Sequence, residues 1–286
     1  MLIFTGGLLK TQYAPDLKLN ILESYFYIGK RKLEIDRNYC KDFFLDSGAF
    51  SAWSKGKHID INSYISFIKK NKDQIDHYAN LDEIGNPEKS QQNLLKMEAE
   101  GLNPIPVYHY GEDFCVFKKM YEKYDFIALG GMVTISTKNR EQWLDQIFDY
   151  SCNEDGTCNK KFHGFGMTTF DLLKKYPWFS VDSVSPVMTA AMGGIFFEQG
   201  QTLDLSREKT TPLALQRYLE GGSYMNSKGE EIQIKRKESM EGFTFDQMKN
   251  DYKVRMIINL RYVMDLEREL TENPPIFKRN DQISLF

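Results

Sequence analysis

Three acids each close a short apolar run: Asp46 in "FFLDSG", Asp82 in "HYANLDEIG" and Asp182 in "FSVDSVS". A carboxylate at the edge of a core is costly unless it is paired, bound or used in chemistry. Two such groups facing one substrate could carry a retaining glycosyl transfer, one as nucleophile and the other as general acid/base. Each acid alone fits a plainer role equally well. Asp46 and Asp82 could cap the helices that follow, and Asp182 could bond within a turn. Three at corresponding positions favour a shared site.

Other apolar runs close on groups that suit a planar ligand. "PIPVYHYGED" carries His109, "FIALGG" ends on Gly130 and Gly131, and "FHGFGM" sets His163 and Phe165 beside two glycines. A glycine at a strand end lets a flat ligand meet backbone amides, or simply makes a tight turn. Phe50, four residues after Asp46, and Phe165 could sandwich a base by stacking. For any aromatic, core packing is the default, and histidines at such positions more often serve structure than catalysis.

Helix-period segments lie between these runs. "DINSYISFIKKNK" puts Tyr64, Phe67 and Ile68 on one face behind a capping Asp60 or Asn62. "NPEKSQQNLLKMEAEG" stops at Gly101, and "TTFDLLKKYP" stops at Pro177. Strand and helix alternate about seven times, which predicts an α/β fold of parallel strands with crossover helices. A doubly wound sheet and a (β/α)8 TIM barrel both fit. The barrel is preferred because nearly every run ends in a chemically capable residue, and a barrel gathers all strand C-termini on one face. The candidate for the eighth strand is "GGIFFEQG" (Gly193–Gly200). After residue 200 the chain turns polar, and "FTFDQMKNDYKVRMIINLRYVMDLERELTENPP" then reads as one long amphipathic helix. The expected organisation is a barrel core over 1–200 and a C-terminal extension over 201–286, with a long closing helix and a flexible tail.

The chain of 286 residues is 41% hydrophobic with 14% aromatics, enough for a large core and too apolar for disorder. Its net charge of −3 weighs mildly against a nucleic-acid binder, although a local basic face suffices for one. Lys235, Arg236 and Lys237 form a basic run that could meet phosphates or be a solvated face, as could Arg207, Lys209 and Arg217. Cys40, Cys115, Cys152 and Cys158 form no CxxC pair, so reduced thiols in a cytoplasmic protein are expected. No apolar run approaches the length of a membrane span.

On these residues the sequence resembles the tRNA-guanine transglycosylase superfamily, closest to the phage and bacterial branch that places 7-deazaguanines in DNA. "DSGAF" (Asp46–Phe50) resembles the family's Asp-Ser-Gly-Gly-aromatic motif, and "DSVSP" (Asp182–Pro186) its nucleophile motif. "LDEI" places Asp82 at the base-reading acid, and Phe165–Gly166 stands where a Met-Gly segment covers the base. The likeness spans roughly residues 40 to 190, with the motifs in order. It implies a (β/α)8 barrel that exchanges guanine for a 7-deazaguanine through a covalent glycosyl ester. Asp182 would be the nucleophile and Asp46 the general acid/base. Asp82, Ser47, Phe50, His109, Gly130, Gly131 and Phe165 would surround the base. The implied partners are DNA, with tRNA as the alternative, and the free 7-deazaguanine base, with a second copy or a partner protein as a further option. The tRNA enzymes carry a Cys-rich zinc segment near the C-terminus, whereas no cysteine follows Cys158 here, so no metal or other cofactor is expected. Val187–Met188 stand where those enzymes have Thr-Arg, which bears on the polynucleotide rather than the chemistry. The competing readings are an N-glycosidase that hydrolyses the ester and a non-catalytic, nucleic-acid-binding barrel subunit.

Overall fold

The computed structural model describes residues 1–7, 17–29, 31–133, 135–167, 169–196, 200–205, 223–225, 231–233 and 238–279. The chain forms two compact units, Met1–Ser183 with Glu269–Phe286, and Val184–Arg268.

The first unit alternates strand and helix: β1 (Leu2–Gly6), β2 (Leu19–Ser24), α1 (Tyr25–Ile28), β3 (Cys40–Asp46), α2 (Ala49–Ser54), α3 (Ile61–Lys70), β4 (His77–Tyr78), α4 (Pro87–Ala99), β5 (Val107–His109), α5 (Phe114–Lys123), β6 (Phe126–Gly130), α6 (Thr137–Ser151), β7 (Lys161–Gly164), α7 (Phe170–Lys175) and β8 (Ser180–Ser183). Its eight strands form one sheet in the order β4-β3-β2-β1-β8-β7-β6-β5. Every strand pair in it is parallel. Strands covered on both faces read as continuous apolar runs, which is why "CKDFFLD" and "FIALG" show little alternation.

The sheet curls on itself. Phe44 of β3 and His163 of β7 lie four ladder steps apart, roughly 19 Å in a flat sheet. Their ring centroids are 4.6 Å apart. Likewise His77 of β4 meets Phe126 of β6 edge-on at 5.9 Å. Phe4, Leu22, Phe44, Ala79, Ile105, Val107 and Ala128 fill the enclosed lumen as one buried cluster. The strand ladder itself does not run all the way round. β4 and β5 are its edges, and they meet at the single parallel bridge Ala79–Ile105, with Asn80 N–H donating to the Ile105 carbonyl (2.8 Å) and Ile105 N–H to the Tyr78 carbonyl (2.9 Å). This is an α/β fold compatible with the TIM type.

The helices start where the sequence supplies caps. Asp60 accepts from Ser63 N–H at α3, Asn86 from Lys89 N–H at α4 and Ser136 from Asn139 N–H at α6. Tyr64, buried on α3, ties that helix to the sheet by donating its hydroxyl to the Ala79 carbonyl (2.9 Å).

Three expectations are corrected. The missing parallel strand is β2, "LNILES", which lies before β3, and not "GGIFFEQG". Its run is short, and Asn20 interrupts it, yet both faces are buried, so Asn20 is buried as well. Cys152 and Cys158 are not free thiols but a disulfide, because the turn between them folds back and pairs the two residues as an antiparallel bridge with Cα atoms 4.3 Å apart. The C-terminal helix is not continuous, as the second unit shows.

That unit comprises α8 (Ser185–Ala191), the antiparallel pair β9 (Gly194–Phe196) and β10 (Thr202–Asp204), the antiparallel pair β11 (Ser223–Met225) and β12 (Glu231–Gln233), α9 (Phe245–Asn250) and most of α10 (Tyr252–Glu272). A capping box between Thr244 and Gln247 starts α9, and Asp251 ends it in extended geometry. Asp251 Oδ1 then accepts from Lys253 N–H (2.7 Å), so the break is a fresh cap rather than a continuation. Ile195, Leu205, Met240, Met248, Val254 and Ile258 form the core of this unit. Buried Asn259 latches it, accepting from Phe196 N–H (2.7 Å) and donating to the Pro186 carbonyl (3.0 Å). Among the described residues, no helix is long and apolar enough to cross a membrane.

Phe44 is fully buried at the centre of the lumen. Phe44→Ala is expected to destabilise the protein by about 3–5 kcal/mol, since the cavity adds to the lost burial. Urea unfolding followed by circular dichroism measures this, and a cost under about 1 kcal/mol would mean that the lumen is not closely packed.

Candidate active site

Side chains of a strand point the same way every second residue. That rule carries the lumen upward into the site. Phe44, Val107 and Ala128 are lumen residues, and two positions on stand Asp46, His109 and Gly130. By the same step, His163 leads to Phe165 and Ser180 to Asp182. The strands are parallel, so these residues gather at one end of the lumen. Asp82 follows the bridge at Ala79 and joins them from the loop after β4.

Asp182 is buried, and its Oδ1 accepts from Gly166 N–H (2.8 Å) and lies 3.4 Å from His163 Nε2. His163 is wholly buried, with Nδ1 hydrogen-bonded to Ser180 Oγ (2.9 Å). A backbone N–H thus holds one oxygen of the carboxylate, and the buried His163 Nε2 faces the same oxygen without a hydrogen bond.

Asp46 is partly exposed, and its Oδ2 accepts from Gly48 N–H (3.1 Å). Loss of water around it is the largest influence on its proton affinity. The charges of Asp182 and Asp82 add to this, and together they push its pKa from 3.8 up to about 7 despite the bonds from Gly48 and Ser47. Asp82 is buried and rises to about 6 for the same first reason, while His109 and a bond from Asn80 (3.0 Å) restrain it.

His109 lies between two acids, with Nε2 3.5 Å from Asp82 Oδ2 and Nδ1 3.5 Å from Glu112 Oε1. Burial opposes its charge, but the bond to Glu112 and the charges of Asp82 and Glu112 outweigh that, and its pKa is raised. Sequence reading missed Glu112. Nothing in "HYGED" sets it apart until the turn closes, when Glu112 N–H donates to the His109 carbonyl (3.2 Å). It missed the Gly166 N–H for the same reason, because a backbone donor has no side-chain signature.

The glycines serve the protein first. A Cβ on Gly130 would stand 2.9 Å from His109 Cδ2, so its absence makes room for the imidazole beside β6. Gly48 has φ +79°, and its Cβ would meet Ser24 Oγ at 2.2 Å, so only glycine fits where β2 and β3 end side by side. Gly131 turns the chain at φ +75°.

Ser47 is buried, and its hydroxyl accepts from Ala49 N–H (3.4 Å) inside the turn. Phe165 packs over the lumen, 5.8 Å from Phe44 and 4.6 Å from His163. Phe50 is not brought against it; Phe50 sits on α2, exposed, with Trp53 as its ring neighbour at 5.9 Å. The structure therefore gathers Asp46, Asp82, His109, Gly130, Phe165 and Asp182, and leaves Phe50 on the rim. Lys235, Arg236 and Lys237 lie outside the described residues, as do Arg207, Lys209 and Arg217. Among the described residues, no group of three or more His, Cys, Asp or Glu side chains is placed to hold a metal ion.

No protein-family model and no curated protein matches this chain. The functional reading therefore depends on the geometry together with the motif resemblance.

A carboxyl group whose pKa rises on folding keeps its proton in the native state after the unfolded chain has lost it. Stability accordingly falls as pH rises between the two values, here about 4 and about 7. Asp46→Asn removes that titration. The melting temperature of Asp46→Asn relative to the parent is expected to climb from pH 4 to pH 7 and level off above. A pH-independent difference would show that Asp46 is not held in its raised state.

Proposed function

We propose that this chain is a transglycosylase of the (β/α)8 barrel type that exchanges guanine for a 7-deazaguanine base in DNA. The observation that carries the reading is a carboxyl poised near neutrality, Asp46, beside a second carboxylate, Asp182, that a backbone N–H holds by one oxygen. Two carboxyl groups set apart in this way can divide the nucleophile and acid/base roles of a retaining displacement. The resemblance of "DSGAF" and "DSVSP" supplies the substrate class.

In the first half-reaction, Asp182 attacks C1′ of the target nucleotide with the oxygen that Gly166 leaves free. The C1′–N9 bond breaks, and guanine leaves carrying the proton of neutral Asp46. In the second, N9–H of the incoming deazaguanine gives its proton to the Asp46 carboxylate as N9 attacks C1′, and the Asp182 ester breaks. Two inversions give net retention, and Asp46 ends as it began. Asp82, held by Asn80 and His109, accepts from the N–H edge of the base, and Phe165 offers its ring to one face. The target must leave its stack to reach the lumen, as in other enzymes that act on a base. DNA is preferred over tRNA because the motif resemblance is closest to the branch that places 7-deazaguanines in DNA.

Release of labelled guanine, measured with DNA and with tRNA in the presence of a free 7-deazaguanine, tests the reaction and its substrate together. Asp182→Asn is expected to lose at least about 10³-fold in exchange and to form no covalent DNA adduct on a denaturing gel. Full exchange by that variant would remove Asp182 from the nucleophile role.

Guanine release needs Asp46 protonated. In a single turnover its rate is expected to decline as pH rises through about 7, and Asp46→Asn is expected to be slow at every pH. A parent rate that rises across the same interval would assign the departing proton to another group.

A further inference from the structure

Exposed aromatic rings and lysines lie on α1, on α2 and just after α2, close in the chain to the ends of β2 and β3. Tyr27 of α1 and Trp53 of α2 are 56% and 57% exposed, values unusual for rings of this size. Lys55 Nζ stands 4.7 Å from the Tyr27 ring centroid and bonds its hydroxyl (3.2 Å). It also lies 5.5 Å from the Phe26 ring, and Lys57 Nζ is 5.9 Å from the same ring. Among the described residues neither lysine pairs with a carboxylate, so both charges face solvent on a chain whose net charge is −3. His58, next in the chain, turns to Glu83 (3.9 Å) and marks the border of the cationic area.

The patch is fastened to the site. Close contact of Gly48 with Ser24 and Phe26 locks the α1 turn against the start of α2. From Asp46, the two loop residues Ser47 and Gly48 and one helical turn reach Trp53, a span of at most roughly 16 Å, or a few nucleotides. Exposed rings with adjacent cations are the chemistry of single-strand binding, in which bases stack and phosphates meet ammonium groups.

We infer that Tyr27, Trp53, Lys55 and Lys57 form a docking platform for the single-stranded DNA that flanks the target nucleotide. The inference rests on the exchange reading for its occupant. The surface is separate from the base-holding residues, and its lysines are described residues, unlike the run at Lys235.

Trp53 fluorescence reads the platform directly, because Trp143 and Trp178 are buried. A 12-nucleotide single-stranded deoxyoligonucleotide with one central guanine is titrated into the full chain. The expected result is saturable quenching that Trp53→Phe abolishes. Tyr27→Ala and Trp53→Ala should each weaken binding, followed by anisotropy of the labelled oligonucleotide, by roughly 5- to 150-fold. Lys55→Glu with Lys57→Glu should weaken it at least tenfold and flatten its salt dependence, while the double arginine variant should bind as the parent does. Unchanged Trp53 emission, or parental binding by the glutamate variant with native circular dichroism, overturns the platform. Tighter binding of the ribo-oligonucleotide of the same sequence overturns DNA as its occupant. Asp182→Asn separates the two claims, since it should lose exchange and keep both quenching and affinity. Quenching without guanine release from any nucleic acid would leave the platform standing and remove the exchange reaction. Guanine release with binding indifferent to the patch would do the reverse.

Discussion

Like charges at the rim of an apolar lumen repel, and the first unit is arranged to hold them there. Asp46, Asp82 and Asp182 stand close enough that two of them raise the proton affinity of the third. Left in water, the three would separate and ionise. The lumen prevents this by setting Asp46 and Asp182 at the ends of strands whose lower residues are packed rings, so neither carboxylate can move without disturbing Phe44 or His163. Fixed partners then divide the strain unequally. Asp182 receives a backbone N–H and Asp82 an amide and an imidazole, while for Asp46 the bonds from Gly48 and Ser47 do not offset its loss of water.

His109 links this electrostatic arrangement to the packing. Its two nitrogens face carboxylates on opposite sides, and its ring rests where Gly130 has no side chain. The charge that steadies Asp82 therefore depends on a missing methyl group on the neighbouring strand. Glu112 completes the arrangement from a turn outside the sheet. A substitution at Gly130 or Glu112 would be felt at Asp82 through His109, without touching Asp82 itself.

Much of this was legible in the sequence, and the boundary is physical. Acids at the ends of apolar runs were visible because a buried strand cannot end on a charge without reason, and Asp46, Asp82 and Asp182 do converge. β2 escaped notice because "LNILES" carries a buried asparagine in a run too short to establish a period. Glycines were visible as places that need no side chain, but not what fills the space: Gly130 makes room for His109, and Gly48 for Ser24. Phe50 illustrates the opposite failure. Its distance from Asp46 along the chain suits a base sandwich, but the turn of α2 sends its ring outward to Trp53. The Cys152–Cys158 bond and Glu112 both depend on chain reversals, and a linear pattern does not reveal which reversal closes.

The ring-filled floor of the lumen has a consequence for traffic. Phe4 and Phe44 are wholly buried beneath the carboxylates, so packed rings close the lumen from below. Whatever reaches the carboxylates must arrive and leave by the face on which the strands end, so entry and exit share one side of the sheet. A plugged floor thus sets the direction of approach as the carboxylates set the charge.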